Sequence, residues 1–364
     1  MFDFWPHTYT FLYFHFILII VLVACLRIMT KNLGYQKKYN GIILALIITL
    51  FIGLRPFYIW GAGKYFGDTG NYYRTFLEVA DGNEAVNFKD IGFELFTKFF
   101  AEYSNAGIYF FMLALLYVWP LYLISRRLKI NNSYLLFLAI ISSFMFWSNG
   151  VNGIRIGIAT SWFILALTYN ENKLLQAALI VLAIIFHKSI LLPTLAYAFT
   201  FFYTNTKGYI LIWFASILLS LLFGNYWTSF FAGLNLSDER LSEYLINRPT
   251  TDLFRYTGFR WDFLIYSAVP VVFGAYIILK KKFTDKFYIQ LFNTYLLANS
   301  FWILVIRANY SNRFASLSWF LIPLILLLPL LSQRLFKYQN IKIAYILLIS
   351  FAFTYYMSFD SIWK

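Results

Sequence analysis

Four short polar stretches in an otherwise apolar chain carry side chains able to do chemistry. Gly53-Leu54-Arg55 is followed by Gly67-Asp68-Thr69-Gly70-Asn71-Tyr72-Tyr73-Arg74, where a carboxylate sits in a glycine-rich segment with an arginine on either side in sequence. Asp68 there can accept a proton from a hydroxyl or orient it; an aspartate that satisfies turn amides is the alternative. Ser148-Asn149-Gly150-Val151-Asn152-Gly153-Ile154-Arg155 puts an arginine in the first turn of an apolar helix. The unpaired N–H groups of that turn already favour an anion. A cation is misplaced there unless something negative binds it or it snorkels to lipid headgroups. Phe186-His187-Lys188-Ser189 repeats the arrangement, with Ser189 able to cap the helix through Pro193. His187 can bind phosphate, transfer a proton or serve as an interfacial hydrogen-bonder. In Arg307-Ala308-Asn309-Tyr310-Ser311-Asn312-Arg313, Arg313 again stands just ahead of an apolar helix. His7, His15 and His187 share no ligand spacing, so no metal and no cofactor is called for.

The elements that must hold these residues are set by composition. Of 364 residues, 61% are hydrophobic, 23% aromatic and 13% charged. So little charge cannot cover a water-soluble exterior, which predicts an all-α polytopic integral membrane protein. Apolar runs predict twelve spans, near 9–29, 40–54, 106–125, 133–148, 154–170, 174–187, 190–204, 209–224, 262–279, 288–306, 314–331 and 341–357. Several are short enough that ten spans with two re-entrant hairpins would also fit. The first run reads as a retained span, with Asp3 before it and Arg27 after it, rather than a signal peptide. Cys25 stands alone, so no intramolecular disulfide forms. The chain reads as one transmembrane domain, 1–364, with two long outer loops at 55–105 and 225–261. In the first loop Ile91, Leu95, Phe99 and Tyr103 recur at helical spacing, which predicts an amphipathic helix lying at the interface.

Alternate loops divide the charge unequally. One set holds 16 cations and two acids and the other 14 of each, so the whole net charge of +14 lies on one side. By the positive-inside rule that side is cytoplasmic and both termini face outward. The clusters are short and interrupted by spans, which excludes a nucleic-acid-binding face. Nine of the 13 arginines, including Arg55, Arg74, Arg155, Arg260, Arg307 and Arg313, fall on the outer side, where topology does not require them. Arginine's planar fork suits phosphate or carboxylate, so the outer face is expected to hold an anionic ligand. In the second loop a mixed-charge solvated segment is the simpler reading.

Taken in order, Gly53-Leu54-Arg55 with Gly67-Asp68-Thr69 and Tyr72, Gly92-Phe93-Glu94-Leu95, Asn152-Gly153-Ile154-Arg155 with Gly157-Ile158-Ala159, Phe186-His187-Lys188-Ser189 and Asn312-Arg313-Phe314 resemble the EpsG family of Wzy-type polysaccharide polymerases. Many relatives carry Arg-Gln where this chain has Arg155-Ile156. The resemblance implies a GT-C-like membrane glycosyltransferase. It would act at the outer face of the cytoplasmic membrane on oligosaccharides linked to undecaprenyl pyrophosphate, with O-antigen, capsule or exopolysaccharide as product. Membrane lipid, a chain-length regulator and a repeat-unit flippase are the partners this implies. Arg55, Arg74, Arg155, Lys188, Arg307 and Arg313 would hold the pyrophosphate, Tyr72, Glu94, Asn152 and Arg260 the glycan, and Asp68 or His187 would take the proton. Two other readings stay open: a flippase, expected to carry charges deep in its spans, and a multispan acyltransferase with His187 as base.

Overall fold

The structure, a computed structural model, describes residues 6–30, 39–58, 63–83, 90–233, 258–308 and 311–363. Every regular element among them is a helix. In chain order they are α1 (Pro6–Thr30), α2 (Tyr39–Gly53), α3 (Gly63–Phe66), α4 (Thr69–Ala80), α5 (Ile91–Tyr103), α6 (Ala106–Arg127), α7 (Ser133–Ile141), α8 (Phe144–Val151) and α9 (Ile154–Leu167). There follow α10 (Lys173–Phe186), α11 (Leu191–Phe202), α12 (Thr206–Gly233), α13 (Trp261–Ala275), α14 (Lys286–Leu304), α15 (Ser311–Trp319), α16 (Ile322–Ser332), α17 (Gln339–Met357) and α18 (Phe359–Trp363). Short polar side chains set several starts: Asn105, Asn132 and Asn172 accept from the N–H groups of Ile108, Leu135 and Leu175 at 3.1, 3.1 and 3.0 Å. Each satisfies a donor that the first helical turn leaves open.

Each of the twelve apolar runs forms helix, but six helical stretches are long and apolar enough to cross a membrane: Pro6–Thr30, Ala106–Arg127, Thr206–Gly224, Trp261–Lys280, Ser311–Ser332 and Gln339–Met357. A seventh is added if α7 and α8, bent by 64° at Ser142-Ser143, make one span. Twelve full spans were expected, and helix length limits the count. At 14 residues each, α9 and α10 reach about 21 Å, against a hydrocarbon core of about 30 Å. The 19-residue α14 is long enough, yet it buries Asn293, Thr294, Asn299 and Ser300 and is not among the six.

Packing divides the chain, read from sequence as one domain, into two compact units, Met1–His187 with Leu330–Lys364 and Lys188–Pro329. In the first, α2 packs on α6, α6 on α9, α9 on α10, and α1 on α17. Its N- and C-terminal helices meet, with the rings of Phe11 and Trp363 5.2 Å apart. The far end of α6 carries Arg126 and Arg127; Arg127 Nε donates to Thr168 Oγ1 at 3.1 Å, and its guanidinium lies 3.5 Å from the Tyr169 ring. In the second unit α14 is central, contacting α11, α12, α13 and α15.

The segment 55–105 contains α3, α4 and α5 rather than open loop. Along α5, Phe93 and Thr97 are buried, whereas Ile91, Leu95, Phe99 and Tyr103 form an uncovered apolar stripe. In the segment 225–261, α12 continues to Gly233 after a kink at Phe223, and Arg240, Arg248 and Arg255 lie outside the described residues.

Candidate functional site

Among the described residues of the first unit, buried charge is concentrated where α2, α8 and α10 end and α5, α6 and α9 begin. Asp90, the residue before α5, is its centre. Its Oδ2 accepts from Arg155 Nη1 at 2.6 Å and lies 3.2 Å from His187 Nδ1. The Asp90 side chain is 3% exposed, that of Arg155 17% and that of His187 15%. An ionised carboxylate only accepts, so Nδ1 carries the proton it donates and, in the neutral ring, Nε2 keeps a lone pair. Asp90 stands at the N-cap of α5 but makes no side-chain cap bond there. Its oxygen is engaged with the arginine and the histidine instead.

Local sequence explains the meeting. A Cβ on Gly92 would come within 2.5 Å of Ile185, so glycine lets α5 lie against the last turn of α10. That contact brings Asp90, two residues before Gly92, beside His187, two residues after Ile185. At Gly157 a Cβ would sit 2.5 Å from the Asn149 carbonyl oxygen, so glycine allows α9 to approach α8. The first turn of α9, expected to need a bound anion beside Arg155, therefore has one from within the chain.

Arg55 is 1% exposed. Its Nε donates to Thr69 Oγ1 at 3.0 Å, Nη1 donates to the Ile52 carbonyl, and the guanidinium lies 4.9 Å from the Phe110 ring centroid. Its Nη2 is buried without a hydrogen-bond partner, and Arg55 has no ion pair among the described residues. Burial lowers its pKa to about 10, opposed by the neighbouring tyrosines Tyr9, Tyr109 and Tyr72, and it stays protonated at neutral pH. Thr69 in turn donates to the Val151 carbonyl, which ties α4 to the end of α8.

Other expected residues join this cluster by less direct routes. Asn152 Oδ1 accepts from the Asp68 N–H at 2.9 Å. Gly67 has φ +53°, and a Cβ there would strike Asn152 at 2.2 Å. Glycine at position 67 thus admits a side chain of the protein, while Gly70 has open space around it. The half-buried Asp68 carboxylate accepts from Asn71 Nδ2 at 3.3 Å, and the exposed Arg74 donates to Asn71 at 3.0 Å. Tyr72 packs edge-on against Phe93 at 5.4 Å, and the Arg155 guanidinium lies 5.9 Å from that same ring. Glu94 pairs with Lys98 at 2.6 Å on the exposed side of α5.

Lys188, Arg260, Arg307 and Arg313 belong to the second unit and are described by themselves. Arg260 is engaged by its own neighbour, with Nε and Nη2 donating to Asp262 at 2.9 and 2.6 Å. Arg307 is half-buried, and its Nε has no partner among the described residues. Arg313 is half-buried and directly precedes the buried Phe314. Among the described residues no group of three His, Cys, Asp or Glu side chains could hold a metal ion.

Sequence reading missed Asp90 and reached past it to Glu94. The available signal was an acid directly before an amphipathic helix with a glycine in its first turn.

Helices of membrane-crossing length, with a polar cluster gathered at one set of helix ends, define a polytopic membrane protein. The chain belongs to the EpsG family, whose model matches residues 38–362. Membership connects it with polysaccharide biosynthesis at a membrane and suggests a polymerase. No curated protein and no solved structure matches it.

Proposed function

We propose that this chain is a polymerase that joins oligosaccharide repeat units carried on undecaprenyl pyrophosphate, at the outer face of the cytoplasmic membrane, by one-step inverting glycosyl transfer. The observation that supports it is charge imbalance in a buried place. Arg55 and Arg155 share the cluster with the carboxylate of Asp90, and Arg55 retains an unsatisfied buried Nη2. A buried cation without a counter-charge is costly, and an anionic ligand would remove that cost. A pyrophosphate gains negative charge as its glycosidic bond breaks, so such cations stabilise the transition state more than the ground state.

In the proposed reaction the acceptor sugar's hydroxyl oxygen bonds to the donor's anomeric carbon as the bond from that carbon to the pyrophosphate oxygen breaks. The hydroxyl proton passes to a base, and the pyrophosphate departs as an anion that needs no acid. His187 suits the base, because Asp90 fixes the ring and leaves Nε2 to accept. Asp68 is the second candidate. Charges at helix ends rather than along the spans favour an enzyme over a flippase, and Arg126 and Arg127 at the opposite end of α6 support the outer placement of the cluster.

The test is polymerisation of a synthetic lipid-linked repeat by the purified protein. His187→Gln should lose turnover while still binding substrate, and Asp68→Asn should keep most of it. The reverse result moves the base to Asp68. A product that keeps the donor's anomeric configuration overturns the single-displacement mechanism.

A further inference from the structure

The second unit contains an apolar groove of about 660 Å³ between α11, α12, α14 and α15. Its wall follows α11 from Leu191 to Phe199, about 12 Å along the helix, with Lys188 and Ser189 just ahead of it, and is otherwise almost wholly aliphatic and aromatic. Leu191, Leu195 and Phe199 on that wall are 43, 60 and 45% exposed, so the groove opens sideways where a membrane-crossing helix would face lipid.

One end of the groove is different. Phe231 and Phe301 line it, their rings 4.8 Å apart, and Phe231 also stacks on Trp227 at 6.1 Å. Trp227 Nε1 and Arg307 Nε are both buried without a hydrogen-bond partner among the described residues. They are brought to one region by Gly224: a Cβ there would meet Arg307 Nε at 2.9 Å, and Trp227 follows one helical turn later. Arg307 also lies three residues beyond Leu304, which lines the groove. Two buried donors without a partner among the described residues, one of them cationic, thus adjoin residues that line this end: Trp227 through its ring contact with Phe231, and Arg307 three residues beyond Leu304, while Lys188 is itself a lining residue.

We propose that this groove seats the isoprenoid chain of a lipid phosphate, with the phosphate against Trp227 Nε1 and Arg307. A buried donor left unpaired is costly. A phosphate oxygen would satisfy both donors, and one linear chain fits a channel that opens to the bilayer. The isoprenoid identity rests on the lipid-carrier substrate proposed above; the head and tail chemistry rests on the groove itself.

Equilibrium binding of radiolabelled geranylgeranyl phosphate to the purified full-length protein in nanodiscs tests this without requiring turnover. Binding should resist excess phosphatidylglycerol and be lost in Ala215→Trp, which fills the groove. Trp227→Phe, which keeps the ring and removes the donor, should weaken the phosphate about tenfold and leave geranylgeraniol unchanged. Displacement by phosphatidylglycerol at equal concentration shows a general lipid seat and overturns the assignment. So does a folded Ala215→Trp protein that binds normally, or equal losses of phosphate and alcohol in Trp227→Phe. Should Ala215→Trp fail to fold, the Trp227→Phe comparison decides. Because His187→Gln tests turnover and these variants test binding, failure of one proposal is separable from failure of the other.

Discussion

Arg155 and Arg307 are the same residue type at comparable places in sequence, each in a polar turn beside an apolar helix, yet the two units treat them differently. In the first unit Arg155 is neutralised by Asp90, a carboxylate that also holds His187. In the second, Arg307 keeps a buried Nε without a partner among the described residues and adjoins an apolar groove. A guanidinium locked into an internal ion pair is a rigid part of a site that must hold geometry. One left with a spare buried donor is suited to meeting a ligand. Position in a helix-end motif therefore does not by itself define an arginine's work; the counter-charge supplied by the rest of the chain does.

The comparison breaks most severely at Asp90. Asp90→Ala removes the buried carboxylate that Arg155 and His187 share and should cost about 3–5 kcal/mol, read as a fall in thermal unfolding temperature with loss of polymer. Asp90→Ala combined with Arg155→Met should regain much of that stability without activity; full activity in the double variant would show that the pair only supports the fold. Next, Gly67→Ala should cost about 1–3 kcal/mol and reduce turnover, since an L side chain at positive φ is strained and the added carbon displaces Asn152. Arg55→Lys should lose about 1–3 kcal/mol of substrate binding, because a single ammonium cannot serve Thr69, the Ile52 carbonyl and the Phe110 face together. The smallest effect belongs to Glu94→Gln. Its Lys98 pair is solvent-exposed, so stability should change by less than about 0.5 kcal/mol. An appreciable fall in polymer yield at unchanged stability would assign Glu94 to the glycan.

Local sequence patterns set the helical elements and their approximate ends. Apolar runs, asparagine caps such as Asn105 and Asn172, and the stripe from Ile91 to Tyr103 are local features, and the physics that makes a helix acts within a few residues. The separation of basic loops from arginine-bearing turns was legible for the same reason. An arginine in the first turn of α9 calls for a nearby anion, but local sequence does not reveal that Asp90 supplies one. Asp90 is 65 residues from Arg155 and 97 from His187, and Gly92 and Gly157 admit the helix contacts that bring the three together. The orphaned donors of Trp227 and Arg307 are likewise a property of packing, since whether a polar atom finds a partner depends on which helices enclose it. Charge type and spacing are written along the chain; neutralisation and burial are decided only when distant segments share the same space.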